Sequence, residues 1–304
     1  MKRPAFQTTN MLIPTPGEHL TSHPAVVFAL FIPVLLATQW GRSAVYGITA
    51  ALLPTGTTSA IHLLIQLFAT VVTVAAVLLY CLLAERRRPV TLGFTPRGAF
   101  SEYGMGLVFG FVMFGGGVLI CCISGVLTLH VADTPPSVGL LLLFFAGFLI
   151  QGMSEEMLCR SYLMVSLSRG LPLWACAVIN ALLFSVLHLG NPGVSVIALI
   201  NIFLFGLFAS MLTLRRGSIW MVGALHSMWN FAQGNFFGIP VSGIIGSPSP
   251  LVSTPEAGAW QELINGGAFG LEAGLAVTAI LVPACVIVIF LPTKKCESVQ
   301  NTCN

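Results

Sequence analysis

Eight apolar stretches constrain the fold of this chain more than any other feature. A helix that crosses a membrane needs about 20 predominantly apolar residues, and helices leave no backbone polar group unsatisfied in hydrocarbon. Of the 304 residues, 56% are hydrophobic and 8% are charged, whereas about a quarter of the residues of a soluble domain carry charge. We therefore predict an all-α, polytopic membrane bundle of about eight transmembrane helices. The predicted spans are 24–40, 60–83, 104–127, 138–158, 172–189, 194–214, 219–236 and 270–291.

The Lys and Arg residues of the predicted loops fall almost entirely on one side of this bundle. Cytoplasmic loops carry an excess of Lys and Arg, so that side is predicted to be cytoplasmic, with both termini on it. Arg42 is the single exception. The residues on this side are Arg86, Arg87, Arg88, Arg97, Arg160, Arg169, Arg215, Arg216, Lys294 and Lys295.

No polar linker divides the chain, so we predict a single membrane domain. It spans residues 24–292, between a polar cytoplasmic tail at 1–23 and a second cytoplasmic tail at 293–304. The net charge is only +3 and no long basic run is present, which argues against a nucleic-acid partner. Most of the eight cysteines lie inside apolar runs, where cysteine usually behaves as a small hydrophobe, so a disulfide framework is not expected.

Charged and strongly polar residues inside apolar helices are costly, and they mark candidate functional sites. Two adjacent carboxylates, Glu155 and Glu156, end the fourth predicted span, and Arg160 follows four residues after Glu156. This spacing places Glu156 and Arg160 on one helix face, where they can neutralise each other. Glu155 points about 100° away and is predicted to lack that partner, which makes it the candidate general base. A solvated helix end is the alternative reading.

Two histidines and an asparagine follow on later helices. His188 ends the fifth span, and His226 precedes Asn230 by four residues in the seventh. The latter spacing puts an imidazole and a carboxamide on one helix face, where they can stabilise an oxyanion or a metal. Taken alone, His188 fits a structural histidine, and His226 with Asn230 fits a helix-bridging pair equally well. Together with Glu155, they can activate a water for attack on an amide.

Other intramembrane hydrolytic schemes lack the residues that they need. Two-aspartate chemistry is excluded because Asp133 is the only aspartate, and no H-E-x-x-H or G-x-S-x-G sequence occurs. Ser154 and Cys159 lie close to the two glutamates in sequence, but no pattern pairs either residue with a base. Glu155 can meet His188 only if the fourth helix continues to about Leu167, because a shorter helix would leave the two residues at different depths.

These motifs resemble those of a known membrane protease family. Glu155-Glu156-x-x-x-Arg160, Phe184-x-x-x-His188 and His226-x-x-x-Asn230, in this order, are similar to the CAAX protease and bacteriocin-processing family, the type II CAAX prenyl endopeptidases and their bacterial relatives. The motif core covers about 138–235. The stretch 265–272 also resembles a feature of bacterial members.

The resemblance implies an intramembrane endopeptidase whose cavity opens to the cytoplasm. By this resemblance, Glu155 is the general base and His188 helps to bind and activate the water. His226 and Asn230 form the oxyanion site, and Glu156 and Arg160 are supporting residues. No cofactor is favoured, although Glu155, His188 and His226 would be the ligands if zinc is bound. The expected location is a bacterial cytoplasmic (inner) membrane, and the expected partners are the lipid bilayer and a peptide or membrane-protein substrate. Glycine-rich helix faces permit an oligomer.

Two other classes of function remain open from the residues. A non-catalytic bacteriocin-immunity or membrane scaffold protein would use the same polar set only to hold helices together. A transporter or proton relay would also place Glu and His inside the membrane, although no internal repeat supports it. The loop between Gly234 and Gly267 is rich in Gly, Ser and Pro and is either a lid or an ordinary connection.

Overall fold

The computed structural model describes residues 9–19 and 23–293. Helices make up most of this part of the chain, and one pair of short strands accompanies them. In chain order the helices are α1 (Pro24–Ala51), α2 (Ser59–Ala84), α3 (Ala99–Ile123), α4 (Val138–Leu167), α5 (Leu173–Val186), α6 (Val196–Arg216), α7 (Trp220–Phe231), α8 (Ala259–Asn265) and α9 (Leu275–Phe290). The strands are β1 (Leu127–Val131) and β2 (Leu251–Pro255), which pair antiparallel.

Five of these helices, α1, α2, α3, α4 and α6, are long and apolar enough to cross a membrane. Two more, α5 and α9, are apolar but shorter, and α7 has 12 residues before it continues as a π-helical turn, Ala232–Phe236. Each of the eight predicted segments contains helix, so the helical membrane bundle is confirmed in its coarse form. The number of spans and their orientation stay predictions. The all-α prediction is wrong for β1 and β2.

The helix α4 carries Glu155 and Glu156 and extends to the residue at which the meeting of Glu155 with His188 was predicted to require its end. It ends at Leu167, which confirms the predicted extension beyond the fourth apolar span. A π-helical turn, Met157–Met164, begins directly after Glu156. Such turns insert an extra residue into a helix and are frequent at functional sites. Here the turn is completely buried, as is every residue from Glu156 to Leu167.

Glycines let α7 pack closely against the helices on both of its sides. A β-carbon at Gly106 or Gly110 of α3 would clash with backbone carbonyls of α7, and one at Gly152 of α4 would lie 2.7 Å from the Ser227 amide nitrogen. Small residues at such spacing allow helix backbones to approach each other. Gly106 and Gly110 thus bring α3 close to α7, and α7 is fixed between α3 and α4.

We expect Gly152→Ala to lower the free energy of unfolding by about 1–3 kcal/mol, because the added methyl group overpacks the contact between α4 and α7. Gly139→Ala is the matched control on the same helix, since a β-carbon at Gly139 meets no atom within 4 Å. The control should change stability by no more than about 0.5 kcal/mol. Equilibrium unfolding in mixed micelles measures both variants, and equal effects would contradict the packing argument.

The connections between helices gather at two ends of the bundle that differ in charge. We call one the arginine-rich end, formed by segments 9–19, 85–98, 168–172 and 217–219. The other, the arginine-free end, is formed by 52–58, 124–137, 187–195 and 237–274, and these segments contain no Lys or Arg. Two contacts illustrate the grouping at the arginine-free end, where Asn265 Nδ2 donates to the Val126 carbonyl at 2.9 Å and Asn191 Nδ2 to the Ser242 carbonyl at 3.2 Å.

Part of the predicted polar N-terminal tail is packed against the arginine-rich end. Met11 and Leu12 are buried, and the Leu12 carbonyl accepts a hydrogen bond from Arg169 at 2.5 Å. The His19 amide donates to the Glu85 carbonyl at 2.8 Å. Arg215, at the end of α6, bonds the Thr293 hydroxyl at 2.9 Å, so the described chain begins and ends at the same end of the bundle.

Candidate active site

One cavity of about 320 Å³ lies among the helices, with α1, α2, α4, α5, α6 and α7 contributing to its wall. Glu155, His188, His226 and Asn230 all line it, so the structure brings together the four predicted catalytic residues from three separate helical segments. Glu156 and Arg160 do not line the cavity. They lie behind it, and their side chains have no exposed surface.

Glu155 is held by a neighbour that the sequence analysis did not single out. Gln151 Nε2 donates to Glu155 Oε1 at 2.7 Å, and Gln151 Oε1 accepts from Asn230 Nδ2 at 3.0 Å. Gln151 precedes Glu155 by one helical turn, a spacing at which side chains meet on one face, so the signal was present in the sequence. This carboxamide links the glutamate of α4 to the asparagine of α7.

His226 lies between the two glutamates. Its Nδ1 is 2.8 Å from Glu156 Oε1, and its Nε2 is 3.8 Å from Glu155 Oε2. Since a carboxylate only accepts, Nδ1 carries the proton in the bond to Glu156. The helix α7 thus places a second ionisable neighbour, His226, beside Glu155, which the prediction did not include. The prediction considered partners on α4 alone.

Glu156 and Arg160 form the predicted ion pair at the back of the site. Arg160 Nη1 donates to Glu156 Oε1 at 3.0 Å, and Nη2 donates to the Gly206 carbonyl of α6 at 3.0 Å. The guanidinium also lies 4.6 Å from the centre of the Phe184 ring of α5, within the range of a cation–π contact. Arg160 thus joins three helices around the carboxylate that orients His226.

His188 follows the end of α5 and presents one ring nitrogen to a backbone carbonyl. Its Nδ1 lies 2.7 Å from the Phe184 carbonyl, and a carbonyl only accepts. In the neutral ring, Nε2 therefore has the free lone pair. The imidazole is half-buried and lines the same cavity as Glu155, so it is placed to accept a hydrogen bond from a water molecule there.

Polar side chains of α1 and α2 form a further wall that the sequence analysis did not predict. They come from two helices that are otherwise apolar. Arg42 is among them, half-buried, and its charge interacts with that of Glu155. These residues are Thr38, Gln39, Arg42, Gln66, Thr70 and Thr73.

The loop after α7 lines the cavity at the arginine-free end. Val241, Ser242, Ile244 and Ser247 contribute to the wall. Glu272 Oε2 accepts from both the amide nitrogen and the hydroxyl of Ser242 at 2.8 Å, so the segment before α9 fastens this loop. The structure places this loop at the cavity. That the loop acts as a lid stays a prediction.

The donor set for zinc is not assembled in the part of the chain that the structure describes. No group of three or more His, Cys, Asp or Glu side chains there could hold a metal ion, and His226 Nδ1 is bonded to Glu156. The set Glu155, His188 and His226 therefore does not fit zinc in this arrangement. That no cofactor is needed stays a prediction.

Ser154, which lies next to Glu155 in sequence, is an alternative nucleophile. Its hydroxyl donates to the Gln151 carbonyl at 2.7 Å.

The comparisons with known proteins agree with the motifs. Residues 137–232 match the family model described as type II CAAX prenyl endopeptidase Rce1-like. A search of curated proteins gave no match. The matched segment runs from the residue before α4 to the first residue after α7, and it contains Glu155, His188, His226 and Asn230.

Proposed function

Since residues 137–232 match the type II CAAX prenyl endopeptidase Rce1-like family model, we propose that the chain is an intramembrane endopeptidase. It would hydrolyse peptide bonds of a peptide or membrane-protein substrate, in CAAX-type or bacteriocin-type processing. The observation that carries the proposal is the cavity, in which Glu155, His188, His226 and Asn230 converge. A peptide that enters the bundle finds a carboxylate base, an imidazole lone pair and two hydrogen-bond donors there.

In the proposed reaction Glu155 accepts a proton from a water molecule, and the water oxygen attacks the carbonyl carbon of the scissile amide. The His188 Nε2 lone pair accepts a hydrogen bond from the second hydrogen of that water and orients it. The C–N bond of the tetrahedral intermediate then breaks as the protonated Glu155 gives its proton to the leaving amine, so the carboxylate is regenerated. General base catalysis of this kind contributes about 10²–10⁴-fold to a rate. Gln151 holds Glu155 in position without contacting the reacting atoms.

The negative charge that develops on the carbonyl oxygen needs hydrogen-bond donors, and Asn230 and His226 lie next to Glu155. Asn230 has one amide hydrogen bonded to Gln151, and among the described residues no acceptor is bonded to its second hydrogen. His226, when it is protonated at both nitrogens, donates Nδ1 to Glu156 and Nε2 towards Glu155 and the cavity. Donors fixed in advance around a developing oxyanion cost no reorganisation during the reaction.

The cavity also argues for catalysis over a scaffold role. Polar groups that only hold helices together are bonded to each other and closed off, as in the bond from Asn180 Nδ2 to Ser210 Oγ, both fully buried. Glu155 and His188 instead border an open space, which a second wall of polar side chains from α1 and α2 faces. Such a wall suits the backbone of a bound peptide, whose polar groups need partners inside a membrane protein.

Glu155→Gln is the variant that tests the proposal. Purified protein in detergent is incubated with a peptide library. The Glu155→Gln variant is expected to cleave about 10²–10⁴-fold more slowly than the unchanged protein. Glu262→Gln, an exposed glutamate of α8, is the matched control and should retain the rate. Each reaction is repeated with a chelator, and loss of cleavage that zinc restores would reassign Glu155, His188 and His226 as ligands.

Two results would overturn the proposal. Cleavage that survives in Glu155→Gln would remove Glu155 as the base. A folded, unchanged protein that cleaves nothing in the library would favour the non-catalytic immunity or scaffold function.

A further inference from the structure

The cavity reaches one end of the bundle and is closed at the other. Asn191, Ser242 and Glu272, which line it, belong to connections at the arginine-free end. Among the described residues, none that lines it belongs to a connection at the arginine-rich end. A peptide that reaches Glu155 from water therefore enters past the loops at the arginine-free end.

Packing beyond Glu155 explains why the arginine-rich end offers no entrance. Every residue of α4 from Glu156 to Leu167 is buried. Arg87, itself buried, donates to the Ser161 carbonyl at 2.8 Å and so ties the connection after α2 to this part of α4. The packed N-terminal segment adds Met11 and Leu12 to the same region. Together these groups form a floor below the cavity.

The charges place this floor on the cytoplasmic side of a membrane. Arg86, Arg88 and Arg97 are exposed at the arginine-rich end, and Lys and Arg in short loops next to helix ends remain in the cytoplasm. The connections at the other end contain no Lys or Arg but contain Asp133, Glu256, Glu262 and Glu272.

Arg42 is not a counter-example to this charge distribution. It lies inside α1 and lines the cavity, rather than standing in a loop. The orientation rule counts the cations of loops and helix ends, so an arginine within the cavity has no weight in it.

We propose that the cavity opens on the side of the membrane opposite the cytoplasm, and that the substrate is a peptide segment presented there. The substrate would have crossed the membrane, or been inserted into it, before cleavage, so a translocation step must precede this reaction. The proposal rests on the proposed endopeptidase function for its substrate, but not for its orientation. It also replaces the expectation of a cytoplasmic opening, which conflicts with the charge distribution once the cavity is located.

Thiol labelling in intact cells tests the orientation without any need for activity. Ala257 is exposed at the arginine-free end and Gly170 is exposed at the arginine-rich end, so Ala257→Cys and Gly170→Cys report on the two ends. Ser242→Cys reports on the cavity wall. Each change is made in a chain whose Cys296 and Cys303 are replaced by Ser, and that chain gives the background. A maleimide that cannot cross membranes should label positions 257 and 242 in intact cells, and position 170 only in inverted vesicles. The reverse pattern would overturn the proposal.

Cleavage in oriented vesicles tests the proposal that the substrate is presented on the side of the membrane opposite the cytoplasm. A water-soluble peptide that the purified protein cleaves should be cut by right-side-out vesicles, and by inverted vesicles only after detergent is added. Glu155→Gln vesicles supply the blank. Cleavage by sealed inverted vesicles would contradict the proposal. Labelling of positions 257 and 242 from outside, with no cleavage in any preparation, would support the opening and count against the endopeptidase function instead.

Discussion

Arg160→Met is expected to lower the free energy of unfolding by about 3–5 kcal/mol, the usual cost of removing one partner of a buried ion pair. Arg160 and Glu156 have fully buried side chains and are 3.0 Å apart. Without the guanidinium, His226 is the one charged partner that Glu156 keeps among the described residues, and the Gly206 carbonyl loses its Arg160 donor. Equilibrium unfolding in mixed micelles measures the loss.

A double variant distinguishes two effects of Arg160→Met, which are the loss of the contacts that Arg160 makes and the uncompensated negative charge left on Glu156. Glu156→Leu with Arg160→Met removes both charges, and well-packed apolar replacements of a buried pair are often neutral or stabilising. We therefore expect the double variant to regain most of the stability that Arg160→Met loses. It should not regain cleavage, because His226 then has no carboxylate at Nδ1. A double variant as unstable as the single one would show that the guanidinium acts through packing rather than by balancing Glu156.

The predicted contacts and helix ends agree with the structure where one helix or one motif supplied the information. The spacing of Glu156 and Arg160 on α4 predicted their ion pair, and the need for Glu155 to reach His188 predicted the end of α4 at Leu167. In both cases the geometry of a single helix sufficed. The bundle as a whole followed from the lengths of the apolar runs.

Two differences from the prediction have another cause, which is contact between distant segments. The position of His226 beside Glu155 depends on the close packing of α7 on α4 through Gly152, which no local pattern encodes. The strands β1 and β2 pair across more than a hundred residues. The placement of Arg42 in a loop has a local cause, because the first span was predicted to end at residue 40, whereas α1 continues to Ala51.

His226→Ala is expected to reduce kcat by about 10²–10³, the loss that follows removal of one donor from an oxyanion site. In the proposed reaction His226 acts only when charge has developed on the carbonyl oxygen, so KM should change little. His62→Ala is the matched control, since His62 bonds Tyr46 on α1 at 3.3 Å and is not among the residues that line the cavity. Peptide cleavage by purified, folded variants gives both constants.

Combining His226→Ala with Glu155→Gln decides whether the two residues serve one step. Groups that act as a unit are strongly non-additive, so removing the second costs far less than removing the first. Because Glu155 Oε2 and His226 Nε2 are 3.8 Å apart, we expect the double variant to cleave no more slowly than the poorer single variant. Losses that multiply would mean that His226 contributes independently of the water that Glu155 activates. A rise in KM with kcat unchanged would make it a substrate-binding residue instead, and the oxyanion role would then fall to Asn230.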